Sequence, residues 1–114
     1  MRILVCGGRN YADEKRVLSA LKSVQDKRGL DCVIQGGAPG ADQLAGAAGE
    51  SIGVPVEVFP ADWKTHGRKA GPLRNQRMLE EGRPDGVIAF PGGSGTKDMV
   101  RRARAAGLPV WEIE

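Results

Sequence analysis

Aromatic rings are scarce in this chain of 114 residues: two Phe, two Trp and one Tyr. A platform that stacks successive bases of single-stranded nucleic acid needs several such rings, so that class of binder is disfavoured. Histidine occurs once, as His66, and the two cysteines, Cys6 and Cys32, form no Cys-x-x-Cys pair. A structural zinc site is therefore not expected, and neither is any other metal or cofactor. Both cysteines fall in apolar, strand-like runs and read as free buried thiols. No apolar run approaches the roughly 20 residues that a membrane-spanning helix needs. Met1-Arg2 leads straight into such a run, from which we expect no signal peptide and a cytoplasmic location. Charge of one sign is also in short supply, with 17 Lys and Arg against 14 Asp and Glu. A net charge of +3 suits a small anionic ligand at least as well as nucleic acid. Repeats, linkers and low-complexity segments are missing too, which predicts a single domain over residues 1–114.

Glycine, by contrast, is plentiful, with 17 residues. It concentrates in three turns: Cys6-Gly7-Gly8-Arg9, Gln35-Gly36-Gly37-Ala38-Pro39-Gly40-Ala41-Asp42 and Phe90-Pro91-Gly92-Gly93-Ser94-Gly95-Thr96. Each follows a short apolar run and precedes a helix-like one. Continuous apolar runs at Ile3–Cys6, Cys32–Ile34 and Asp85–Phe90 read as strands buried on both faces. Pro55 places the run Val54–Phe59 at a sheet edge or falls among that strand's first residues, and the alternating Val110-Trp111-Glu112-Ile113 reads as another edge strand. Asp13 is a candidate N-cap for a helix carrying Val17, Leu18, Leu21 and Val24 inward and stopped by Gly29. The helix after Gly40 is built of very small residues and can pack close to the sheet. Residues 60–71 have no period and read as a charged loop around Trp63. Pro72 fits the first position of a third helix, and Thr96–Ala106 a fourth, with Met99, Val100, Ala103 and Ala106 inward, closed by Gly107 and Pro109. The order βαβαβαβαβ predicts an α/β, Rossmann-like, doubly wound open parallel sheet of about five strands.

In such a sheet all three glycine turns lie at the carboxyl ends of strands, where ligands bind. Backbone N–H groups at a helix N-terminus favour an anion there. No Gly-Lys-Ser/Thr follows the last turn, and no Gly-x-Gly-x-x-Gly is present, so ATP hydrolysis and dinucleotide binding both lose support. Arg74, at the start of a helix, opposes the local dipole unless an anion is near. Arg9 reads as a second candidate cation, or as a surface turn residue. Asp42, in the first turn of helix two, is placed at the mouth of the site, where it either contacts ligand or offsets the helix dipole. Asp62 reads as a cap or a ribose ligand, Asn75 as a reader of a base edge or of backbone, and Trp63 as a stacking surface or a core plug. His66, between Lys64 and Arg68, is more simply a solvated side chain than an acid–base catalyst. Arg101, Arg102 and Arg104 read as a solvated helix face that offsets the macrodipole.

Five segments carry a family resemblance: Gly7-Gly8-Arg9; Gly36-Gly37-Ala38-x-Gly40-Ala41-Asp42; Phe59-Pro60-Ala61-Asp62-Trp63; Ala70-Gly71-Pro72-x-Arg74-Asn75-x-x-Met78; and Phe90-Pro91-Gly92-Gly93-x-Gly95-Thr96-x-x-Met99. Together they resemble the YspA, cpYpsA-related branch of the SLOG superfamily. The resemblance implies a Rossmann-like fold that binds a nucleotide or a nucleotide-derived, ADP-ribose-like ligand through the glycine turns, Asp42, Asp62, Trp63, Arg74 and Asn75. The superfamily includes the LOG phosphoribohydrolases, which cleave the N-glycosidic bond of nucleoside monophosphates, and the DNA-processing protein DprA. In the LOG enzymes a Pro-Gly-Gly-x-Gly-Thr-x-x-Glu motif works with an arginine on the preceding helix. By resemblance Pro91 to Thr96 is the phosphate loop and Arg74 that arginine, but Met99 stands where the glutamate belongs. Asp98 is adjacent, yet one residue along a helix turns a side chain by about 100°. Candidate catalytic residues are therefore Arg74, Asp42 and Asp98, with a binding role preferred to hydrolysis. A DprA-like nucleic-acid module ranks behind both. The LOG relatives also imply a homodimer or larger homo-oligomer, formed through helix two or the last helix.

Overall fold

The computed structural model describes all of residues 1–114. Five strands, β1 (Arg2–Cys6), β2 (Cys32–Gln35), β3 (Val56–Val58), β4 (Gly86–Ala89) and β5 (Val110–Glu112), form one sheet in the order β3-β2-β1-β4-β5. Every pairing is parallel, with Leu4 of β1 opposite Ile34 on one side and Val87 on the other. The expected class and the edge positions of the third and fifth strands are thus observed.

The apolar runs are continuous because both faces of the sheet are covered. Ile3, Val5, Val33, Ile88 and Phe90 point to one side, against Val17 and Leu21 of α1 (Glu14–Arg28) and Ala41, Ala45 and Ala48 of α2 (Ala41–Ser51). Leu4, Cys6, Cys32, Ile34, Val87 and Ala89 point to the other, against Met78 of α4 (Ala70–Gly82) and Met99, Val100 and Ala103 of α5 (Ser94–Ala105). Fully burying one such aliphatic side chain stabilises the fold by about 1.5–3 kcal/mol. The slim α2 does pack close: a Cβ on Gly49 would lie 3.1 Å from Val33 and from Val56. Asp13 caps α1 by accepting the Arg16 N–H at 3.1 Å, and Gly29, with φ +78°, ends it.

Three boundaries differ from the sequence reading. Residues 60–71 are not one loop: α3 (Trp63–His66) and a 3₁₀ turn (Gly67–Lys69) run directly into α4. A four-residue helix has too few positions to show a period. Pro72 is accordingly the third residue of α4 and not the first, still within the turn whose N–H groups have no helical acceptor. The last helix begins at Ser94, two residues earlier than expected. No helix is long and apolar enough to cross a membrane.

The sheet order has one reversal. From β1 the chain winds outward to β2 and β3, then crosses back to β4 and β5 on the other side of β1. The crevice created there opens between the carboxyl ends of β1 and β4, the expected location of a ligand site.

Candidate functional site

A cleft of about 660 Å³ occupies this crevice. That lies within the range of about 300–1,000 Å³ usual for small-molecule sites. Its walls come from the first turn (Gly7, Gly8, Arg9), the second (Ala38, Asp42), α3 and α4 (Trp63, Arg74, Asn75), and the third turn with α5 (Gly93, Ser94, Gly95, Thr96, Asp98).

The first and third turns meet backbone to backbone. Gly8 donates its N–H to Pro91 O at 2.9 Å, and a Cβ on Gly92 would sit 2.6 Å from Gly8 N. The second turn joins them through the Ala41 N–H, which donates to Gly8 O at 3.1 Å. Gly40, with φ +79°, has the Arg9 backbone where a side chain would be. Pro91, Gly92 and Gly40 therefore shape the site from behind. Gly93 and Gly95, in contrast, have open space where a Cβ would go. The N–H groups of Ser94, Gly95 and Thr96 donate to no acceptor in the chain, and no side chain caps α5. The helix thus opens onto the cleft with its dipole uncompensated.

Arg74 lines the same cleft from α4. Its Nη1 donates to Gly36 O at 2.6 Å and its Nε to Asn75 Oδ1 at 3.1 Å, leaving Nη2 free. Gly36 lies outside the cleft lining but is the reason the guanidinium fits, since a Cβ there would be 2.7 Å from Arg74 Cζ. Burial pulls Arg74 below its ordinary pKa; Asp42 opposes this and Arg9 adds to it. Asp42 is not at the mouth. It is 7% exposed, at the base of the cleft, and accepts the Ala38 N–H at 3.2 Å. Burial pushes its carboxyl above the usual range, against the Ala38 and Gly36 N–H groups and the charges of Arg74 and Arg9. Asp42 and Arg74 hold the two ends of the Gly36–Ala38 turn, the one through the Ala38 N–H and the other through Gly36 O. The neighbouring Gly37 donates to the Gln35 side chain and stays outside the cleft.

On α5 the inward positions read from the sequence are observed at Met99, Val100 and Ala103, whereas Ala106, beyond the last turn, is exposed. Met99 is fully buried, in the cluster with Leu4 and Val87, and points away from the cleft. Asp98, one of the three candidate catalytic residues, lines the cleft. Its Oδ2 accepts Asn75 Nδ2 at 3.0 Å and Arg102 Nε at 2.8 Å, and its Oδ1 accepts Arg101 Nη2 at 2.7 Å. Burial raises the Asp98 pKa, but these hydrogen bonds and the Arg102 charge outweigh it and hold the carboxyl below its ordinary value. Arg102 is consequently half-buried, bridging Asp98 and Gln76, and not part of a solvated face.

Trp63 stands at the rim, 49% exposed, with the Arg9 guanidinium 5.7 Å from its ring centre. Asp62 lies outside the cleft and caps α3 through the Thr65 N–H at 3.2 Å, while His66 is exposed and also outside it. Five lining residues were not singled out from the sequence: Cys6, Arg68, Gly71, Pro72 and Met78. Cys6 ends β1, and strand carboxyl ends face the site, so its position was a usable signal. Met78 follows Arg74 by one helical turn and was also findable. Arg68 sits in the aperiodic segment, where no signal exists. Burial, with Asp42 and Glu112, pushes the Cys6 thiol up to about 12, so it lines the floor as a neutral group. No cluster of three or more His, Cys, Asp or Glu side chains is arranged to hold a metal ion.

Comparison with known proteins agrees with this architecture. The Gene 61 protein of Mycobacterium phage D29 is 41% identical over 118 residues, spanning 96% of this chain and 93% of that relative. The crystal structure of DNA processing protein A (DprA) from Streptococcus pneumoniae superposes with a TM-score of 0.54 at 18% identity, a likeness of fold. That superposition takes in 96% of this chain but only 57% of DprA, so the chain spans little more than half of that protein. The sequence pattern of the YspA, cpYpsA-related SLOG family matches residues 1–66, and the chain belongs to that family.

Proposed function

We propose that the chain binds a nucleotide or nucleotide-derived ligand in the cleft between β1 and β4, as a sensor, carrier or processing domain. The observation that carries this reading is the pairing of three unpartnered N–H groups at Ser94, Gly95 and Thr96 with the half-buried Arg74 guanidinium. A terminal phosphate satisfies both. Arg9 and Arg68 add positive charge at the rim, and the exposed face of Trp63 suits a base. Gly7, Gly8 and Ala38 supply close backbone walls.

Isothermal titration with AMP and ADP-ribose, beside mass spectrometry of co-purified ligand, tests the proposal. Charge-assisted hydrogen bonds contribute about 1.5–3 kcal/mol, so Arg74→Ala is expected to weaken binding by roughly 10- to 100-fold. No binding by the wild type, or thermal shifts unchanged in Arg74→Ala, would refute it.

Hydrolysis of a nucleoside monophosphate is the second reading, favoured by one observation, the Asp98 carboxylate in the cleft. An ionised carboxylate stabilises oxocarbenium character at a ribose. Three donors already hold it, however, which weakens it as a base. Release of adenine from AMP tests this reading, and no product across the purine monophosphates sinks it. Nucleic-acid binding ranks third, because the scarcity of aromatic rings argues against it and the likeness to DprA extends to fold alone. Self-association is proposed with the binding function; a dimeric mass on gel filtration is the expected result, and a monomer refutes it.

A further inference from the structure

Asn75 is 5% exposed, and its side chain is spent on three neighbours in different parts of the fold. Its Oδ1 accepts the Arg74 Nε–H at 3.1 Å on its own helix. Its Nδ2 donates to Gly95 O at 3.2 Å, in the opening turn of α5, and to Asp98 Oδ2 at 3.0 Å, about one turn further along. The primary amide, shared with the longer Gln, is the side-chain group that offers an acceptor and two donors together. Here both donors and one of the two lone pairs of Oδ1 are already used. Without Asn75, Arg74 would keep Gly36 O alone as a partner, on a long side chain with much rotamer freedom to lose. Asn75 and Gly36 O hold it at Nε and Nη1, which leaves Nη2 without a partner on a side chain that lines the cleft.

We propose that Asn75 is a positioning residue, which locks the Arg74 guanidinium and the opening of α5 into one fixed relation across the α4–α5 seam. This rests on the phosphate reading above for its functional meaning. The geometry of the anion site is then set before any ligand arrives, by an amide whose recorded bonds all go to the protein. Asp98 belongs to the same unit, as an acceptor that orients Asn75 and is itself anchored by Arg101 and Arg102.

Two readouts on the full chain test the proposal, and one needs no ligand. In ¹⁵N NMR the wild-type Arg74 Nε–H is expected to give a resolved resonance that exchanges slowly with water. Asn75→Ala removes its acceptor, so exchange quickens at least tenfold and AMP affinity falls by about tenfold, the usual scale for one charge-assisted bond. Asn75→Asp keeps the volume and the acceptor but donates nothing, and sets a carboxylate against Asp98 and Gly95 O. It is expected to retain the slow Nε–H while still weakening AMP, a split that a packing role does not produce. Unchanged Nε–H exchange in Asn75→Ala overturns the proposal, as does wild-type AMP affinity in Asn75→Asp. Should the wild type bind no AMP while Asn75→Ala still frees the Nε–H, the phosphate reading fails and the positioning role stands.

Discussion

Met99→Glu would restore the full Pro-Gly-Gly-x-Gly-Thr-x-x-Glu motif of the LOG phosphoribohydrolases, and the structure predicts damage instead of activity. Met99 is 0% exposed, packed among Leu4, Val87 and Met78 on the α4–α5 side of the sheet. No polar group of that cluster is free to receive a carboxylate, so the new side chain stays neutral or the core opens. Glutamic acid ionises near pH 4.3, and holding it protonated at pH 7 costs about 1.4 kcal/mol per pH unit, close to ~4 kcal/mol in all. Loss of methionine packing adds about 1–2 kcal/mol. Against a total stability of about 5–15 kcal/mol for a small domain, most of the margin disappears. The sign with pH follows from linkage. A carboxyl whose folded pKa is raised is tolerated below its unfolded value and destabilises progressively as pH rises through the folded one. Urea unfolding at pH 5 and pH 7, beside an adenine-release assay with AMP, measures both consequences. The variant is expected to be much less stable at pH 7 than at pH 5 relative to wild type, with no gain in hydrolysis. Wild-type stability at pH 7, or adenine release that the parent lacks, would refute the placement of Met99 in the core.

The two cleft carboxylates should show opposite linkage. Asp42, raised by burial, contributes stability that is present below the ordinary 3.8 and lost as pH rises through its folded value; Asp98, lowered by its hydrogen bonds, contributes stability present above 3.8 and lost as pH falls. Urea unfolding of Asp42→Asn and Asp98→Asn from pH 3 to 7 is expected to differ from wild type with slopes of opposite sign, and matching slopes contradict the assignment. Gly92→Ala drives a Cβ to 2.6 Å from Gly8 N and breaks the contact between the first and third turns; overpacking of this kind costs about 1–3 kcal/mol. Gly95→Ala, facing open space inside a helix, is expected to keep or raise stability by up to about 1 kcal/mol, so a calorimetric melt separates the two. Cys6 and Cys32, buried and pushed up to about 12 and about 11, are expected to resist iodoacetamide at pH 8 until the protein is unfolded.

Much of the architecture was legible because it is written in local patterns. Ile3–Cys6 and Gly86–Ala89 are apolar without alternation, which only a strand covered on both faces tolerates. Asp13 and Gly29 mark the ends of α1 by chemistry confined to a few neighbouring residues. Trp63–His66 was not legible as helix, since its four residues are held by the Asp62 cap and by continuity with the next helix, not by an apolar stripe. The Asn75 network was invisible for another reason: its partners lie 20 and 23 residues away in sequence.

Chain order, the alternation of strand and helix, and the three glycine turns at strand ends follow from the residues alone, because each depends on short-range sterics and on which side chains avoid water. Which carboxylate reaches those turns is a different kind of question. It depends on where α5 starts and how it is rotated against the sheet, and the packing of Met99, Val100 and Ala103 on β4 and β1 turns Asp98 to the cleft and Met99 to the core. The inward turn of Met99 was already legible in the apolar spacing of the helix; only the tertiary structure could show that Asp98 then meets Asn75 in the cleft, since Asn75 comes from another helix.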